Sequence, residues 1–211
     1  GHVTILHADG RLAAARVGAV GLGSRGLDAD RLRTAAARVA ARTLDVGGAS
    51  VAWIVEEDGL TAGEQGRAIV DGTLLGPYEN GRWKTKDEQR GGIERLVLCG
   101  PAAGGAGEAA RRASVAATWA NRCRDLVNAP SNELTPAALA ERASQLATDL
   151  PHLSCEVLGP AEIRSAGMGA FWSVAQGSEA EPRLIVLDYA PPGASDELVL
   201  GLVGKAITFD S

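Results

Sequence analysis

The sequence predicts an α/β fold on three observations. Short apolar strands alternate with amphipathic helices, helix starts carry capping residues, and one Gly/Ala-rich break divides the chain near its middle. Val3-Thr4-Ile5-Leu6 and residues 15–21 read as strands. Asp28 caps a helix over about 29–43, whose apolar stripe is Leu32, Ala35, Ala36, Val39 and Ala40. Residues 51–55 form the next strand, and Thr61-Ala62-Gly63-Glu64 has capping-box spacing for a helix ending near Gly76. Leu96–Cys99 is a further strand, and Pro101–Gly107 a loop before a long helix at about 108–127. Thr135-Pro136 opens another helix, with threonine as cap and proline at the first helical position.

Charge and composition remove whole classes of function. The net charge of -5 and 4% aromatic content offer neither the basic face nor the stacking surface that nucleic acids require. No apolar stretch approaches the roughly 20 residues of a membrane span, so nucleic acid and membrane are both excluded as partners. Cys99, Cys123 and Cys155 are odd in number and far apart, which reads as buried thiols of a reducing cytoplasm. His2, His7 and His152 are scattered and do not suggest a histidine metal site.

Gly21-Leu22-Gly23-Ser24-Arg25-Gly26 fits G-x-G-x-x-G between a strand and a helix. It raises a dinucleotide-binding alternative in which Gly21, Gly23 and Gly26 let pyrophosphate reach the helix N-terminus. The acidic residues after the next strand, Glu56 and Glu57, lie about 30 residues on, where about 20 is expected for a ribose-binding acid. A tight turn is the plainer reading. Ser131 and Ser211 have no nucleophile elbow around them, which removes a serine hydrolase. Arg111, Arg112, Arg122 and Arg124 on the long helix read as a solvated face. Of Trp53, Trp83, Trp119 and Trp172, most are expected in the core.

The strongest signal lies at residues 197–211. Glu197-Leu198-Val199-Leu200-Gly201-Leu202-Val203 reads as a strand buried on both faces of a parallel sheet. Lys205 and Asp210 then stand beyond its carboxyl end, where open α/β sheets gather their chemistry. From spacing alone they read as a solvated lysine and a turn aspartate, since strand-to-loop ends are commonly polar.

Four motifs in order decide between these readings. Gly204-Lys205-Ala206-Ile207-Thr208-Phe209-Asp210-Ser211 resembles the metal-binding signature of the leucyl aminopeptidase (cytosol aminopeptidase) family. Asn128-Ala129-Pro130-Ser131-Asn132-Glu133-Leu134-Thr135-Pro136 is similar to the family's Asn-x-Pro-x-Asn-x-x-Thr-Pro segment. Gly167-Met168-Gly169 with Val174-Ala175-Gln176-Gly177-Ser178, and Arg183–Tyr189, resemble two further blocks. Ala206 stands where the family most often has glycine. Asn128 and Asn132 are expected to bond local backbone in a turn.

The resemblance implies a metal-dependent aminopeptidase acting on peptides with a free N-terminus, with two divalent ions (manganese or zinc, with magnesium a further candidate). By resemblance, Asp210 bridges the two ions and Lys205 ligates one through a neutral amine. The family's remaining carboxylates, its arginine and its catalytic lysine have no counterpart in residues 1–211, so no catalytic residue is assigned here and this chain alone is expected to be inactive. The implied organisation is an accessory α/β domain over 1–107 that lacks strands at its start, a connecting helix and turn over 108–130, and the beginning of the catalytic domain over 131–211. A cytoplasmic location and a homo-hexamer of the full-length enzyme complete the expectation; this chain is either a fragment or one chain of a nicked or split enzyme whose second chain supplies the rest of the catalytic domain. A non-catalytic oligomerisation module is the remaining alternative.

Overall fold

The computed structural model describes all residues except 25, 58, 80–90, 196, 198 and 208–211. Two compact units emerge, Gly1–Asn128 and Ala129–Ser211. The mixture of helices and short strands makes the fold α/β.

In the first unit, β1 (Val3–His7) pairs antiparallel with β2 (Arg16–Val20), with Val3 opposite Val20 and His7 opposite Arg16. Helix α1 (Ala29–Asp45) starts where Asp28 accepts the Arg31 N–H at 2.8 Å, and its buried residues are Leu32, Ala35, Ala36, Val39 and Ala40. Those five are the stripe that helical periodicity selects. Strand β3 (Ser50–Ile54) pairs in parallel with β4 (Arg95–Cys99), Ser50 opposite Arg95 and Ile54 opposite Cys99. Between them runs α2 (Ala62–Leu75), which carries the predicted capping box and ends at Gly76. Trp53, Leu96 and Leu98 turn one face of this parallel pair toward Leu32, Ala36, Val55, Ala68 and Ile69, which form the core. Period-2 alternation leaves Ile54 and Val97 on the open face.

Gly100 makes the turn after β4 possible. Its φ of +103 suits glycine, and a Cβ would meet the Val55 carbonyl at 2.7 Å. The Gly/Ala-rich stretch beyond it holds one 3₁₀ turn, Ala103–Gly105, before α3 (Gly107–Asn128). Helix α2 packs against both α1 and α3.

The second unit begins with a turn in which the Pro130 carbonyl accepts from the N–H groups of Glu133 and Leu134, both at 2.9 Å. Helix α4 (Pro136–Asp149) follows, its Thr135 cap accepting the Ala138 N–H at 3.2 Å. Strand β5 (Leu153–Leu158) pairs antiparallel with β6 (Leu184–Tyr189), and α4 packs on both. Two short helices, α5 (Pro160–Ser165) and α6 (Gly169–Ala175), lie between the strands, and Ile163 of α5 is fully buried.

Three expectations are corrected here. The apolar run near residue 200 is not a buried strand: Val199, Leu200, Leu202 and Val203 are between 81% and 103% exposed, with no strand among the described residues. The reason is pairing. The described sheet of this unit is the antiparallel pair β5–β6, and residues 199–203 pair with neither strand, so no ladder takes up their backbone and nothing covers their side chains. The cysteines are not uniformly buried, since Cys123 is exposed on α3 and Cys99 and Cys155 are half-buried. Trp119 is also exposed, with the Arg122 guanidinium over its ring at 4.4 Å, while Trp83 lies outside the described residues.

Candidate functional site

Lys205 lies in an exposed segment without regular structure, so no element holds its amine in one place. Asp210 falls outside the described residues. Among the described residues no three His, Cys, Asp or Glu side chains come together as a metal cluster. One exposed amine does not make a metal site, so the described residues alone do not fit the two-metal centre that the sequence implies.

The glycine loop has a clearer geometry. Gly21–Gly26 connects β2 to α1, with Gly23 at φ +90, above an open hollow of about 710 Å³. Its lining includes Ser24, Asp28, Asp30, Arg31 and Arg38. A dinucleotide site needs a parallel β-α-β unit and a free helix N-terminus. Here β2 pairs antiparallel with β1. The N-terminus of α1 is occupied by the Asp28 carboxylate, with Asp30 in the same turn, so pyrophosphate would meet two negative charges. Strand β3 also ends at Ile54, short of Glu56 and Glu57. The turn reading stands on this geometry.

Side chains concentrate instead where α2 meets the end of α3. Asn121 Nδ2 donates to the Leu74 carbonyl at 2.9 Å, and Arg124 Nη1 donates to the Leu75 carbonyl at 3.0 Å. These two side chains serve carbonyls that the last turn of α2 leaves without intrahelical donors. The Arg124 guanidinium also lies over the Tyr78 ring at 3.8 Å. Tyr78 Oη donates to Asp125 Oδ1 at 2.7 Å and accepts from Asn128 Nδ2 at 3.2 Å. Burial first, and the Asp125 carboxylate after it, push the Tyr78 hydroxyl above its ordinary value against the opposing pull of the Asn128 hydrogen bond.

Two sequence expectations change with this cluster. Arg124 is engaged with α2 and is not simply part of a solvated face. Asn128 bonds a side chain 50 residues away, not the local backbone. Arg111 and Arg112 do remain solvated, both paired with Glu108, whose carboxyl these hydrogen bonds hold below its ordinary value. No motif marks Tyr78 in the sequence, because its partners are distant and of ordinary type.

Paired strands, a crossover helix and a connecting helix make this an α/β scaffold. Comparison with known proteins makes the class specific. Residues 1–87 match the family model described as Cytosol aminopeptidase family, N-terminal domain, and residues 121–211 match Cytosol aminopeptidase family, catalytic domain. The chain belongs to the cytosol aminopeptidase family. It is 40% identical over 216 residues to a probable cytosol aminopeptidase of Roseiflexus castenholzii, covering 98% of this chain and 43% of that protein. A probable cytosol aminopeptidase of Azotobacter vinelandii is 38% identical over 218 residues, covering 100% of this chain and 44% of the relative.

Solved structures agree. The bottromycin maturation enzyme BotP in complex with Mn superposes with a TM-score of 0.71 at 31% identity, covering 90% of this chain and 40% of that one. A mutant of tomato leucine aminopeptidase gives a TM-score of 0.73 at 27% identity, covering 92% and 39%. The chain thus spans about two fifths of the length of the relatives it matches. No described helix is long and apolar enough to cross a membrane.

Proposed function

We propose that this chain is the N-terminal part of a leucyl-type metalloaminopeptidase that releases N-terminal amino acids from peptides. The observation that carries this reading is the order of the two family matches, N-terminal domain then catalytic domain, along one chain. In this reading residues 1–107 form the accessory domain, 108–130 the connecting helix and turn, and 131–211 the beginning of the catalytic domain.

Lys205 and Asp210 are then two donors of a two-metal centre whose other donors lie outside residues 1–211. A carboxylate at Asp210 suits a bridging place, because one anion can hold two like-charged ions together. Bound metal of this kind polarises a carbonyl and activates water. The manganese in the BotP complex makes that ion the first to test. With two donors, residues 1–211 alone hold metal weakly and hydrolyse nothing measurable. Peptides with a free N-terminus as substrates, a hexameric assembly and a cytoplasmic location belong to the same proposal.

The test is metal analysis and leucyl-peptide hydrolysis on the intact enzyme and its Lys205→Ala variant. The expected result is loss of about one ion per chain together with loss of hydrolysis, since a two-metal site acts through both ions. Unchanged metal content in Lys205→Ala would remove Lys205 from the ligand set. Absence of aminopeptidase activity in the metal-loaded wild type would overturn the function itself.

A further inference from the structure

Helix α3 is anchored unevenly. Its buried residues, Ala113 and Ala117, both lie in its first half. Val127 near its end is 79% exposed, and Asp125 and Asn128 are exposed as well. The last turns are therefore held by polar contacts with the chain leaving α2, and Tyr78 sits at the centre of them.

We infer that Tyr78 is a latch: its hydroxyl, held between Asp125 and Asn128, keeps the last turn of α3 wound as far as Asn128. The inference has three supports. Tyr78 Oη makes one bond as donor and one as acceptor, so a single atom ties residues 125 and 128, one helical turn apart. Asp125 is a negative charge in the C-terminal turn, where the helix dipole disfavours it, and the Tyr78 proton is the donor that compensates it. The ring is itself fixed by the Arg124 guanidinium, which is tied in turn to the Leu75 carbonyl.

The latch also joins two parts of the family pattern. Tyr78 lies in the stretch matched to the N-terminal domain, whereas Asp125 and Asn128 lie in the stretch matched to the catalytic domain. Asn128 opens the Asn128-Ala129-Pro130 segment. Tyr78 is thus a positioning residue for the start of that segment. The inference is independent of peptide hydrolysis.

Hydrogen exchange of the intact protein tests it. Tyr78→Phe keeps the ring under Arg124 and removes only the hydroxyl. Amides of residues 124–129 are expected to exchange about five- to tenfold faster, as for loss of a hydrogen bond near the surface, while α2 amides keep their rates. Asp125→Ala should loosen the same amides even though it relieves the helix dipole, and Asp125→Asn, which keeps an acceptor oxygen, should restore most of the protection. The double variant Tyr78→Phe/Asp125→Ala should be no faster than either single one. Unchanged exchange at 124–129 in Tyr78→Phe would overturn the latch. Equal acceleration in α2 would do the same, because it would mean general destabilisation.

Discussion

Gly72 of α2 lies directly against the backbone carbonyl of Arg33 in α1, with no room for a methyl group between them. A Cβ at Gly72 would also meet Ala36 Cβ at 2.8 Å and the Ala37 nitrogen at 3.0 Å. Gly76, one turn on, faces Ala37 in the same way. The two helices approach through backbone and small side chains, which places Leu32, Ala36 and Ile69 in one core.

Gly72→Ala is therefore expected to destabilise, although alanine is the better helix former by about 1 kcal/mol. The obstacle is backbone, which cannot rotate away, so overpacking of about 1–3 kcal/mol outweighs the propensity gain. Urea denaturation reads the sign. A more stable Gly72→Ala variant would show that α1 and α2 are free to separate.

Gln65 is the buried polar residue that shapes the β3–α2 connection. It is 4% exposed, and its Nε2 donates to the carbonyls of Glu56 at 2.6 Å and Leu60 at 3.1 Å. Gln65→Met keeps the volume and leaves both carbonyls without that donor. The expected cost is about 1–3 kcal/mol. Proteolysis between residues 55 and 61 should speed up in step, and an unchanged cleavage rate there would show that the loop is held by other contacts.

The start of α2 should give the protein an acid-sensitive component. Glu64 Oε2 accepts from Thr61 Oγ1 at 2.7 Å and from the Thr61 N–H at 2.8 Å. These two bonds, the hydroxyl first, hold the Glu64 carboxyl below its ordinary 4.5. A carboxyl lowered by folding stabilises the fold above its unfolded value and loses that contribution as pH falls through the folded one. Thr61→Ala should cost about 1 kcal/mol near neutral pH. The gap to wild type should narrow below the ordinary 4.5 of Glu64, leaving the part carried by the Glu64 N–H donated to Thr61 Oγ1, and a gap independent of pH would separate the cap from the carboxylate.

Cys123 should be the first thiol modified. It is exposed on α3, whereas Cys99 is half-buried with its Sγ 3.4 Å from the Trp53 carbonyl. Maleimide labelling followed by peptide mapping should find residue 123 labelled before residues 99 and 155. Earlier labelling of Cys99 would mean that the β3–β4 pair opens readily.

Local signals carried the first unit. The Asp28 and Thr61 caps and the Leu32–Ala40 stripe could be read because each depends on residues three or four apart. The same holds for Thr135-Pro136 at the start of α4. Strand β5 escaped attention because Leu153-Ser154-Cys155-Glu156-Val157-Leu158 is short and its pairing with β6 spans about 30 residues, a separation that no local pattern reports. Residues 199–203 failed for a different reason. Their composition states how much they prefer to be covered, but not which strand would cover them. For the site, Lys205 and Asp210 were visible only through a four-motif resemblance, and Tyr78 through nothing local at all.

The uncovered stretch Val199-Leu200-Gly201-Leu202-Val203 has a practical consequence for anyone handling these 211 residues by themselves. Uncharged, rich in branched residues and free of proline, it is the kind of ribbon that copies of itself recruit into stacked cross-β aggregates. Concentrated preparations of these residues would then lose material to precipitation through this ribbon, with the helices of both units still folded at the start of the association.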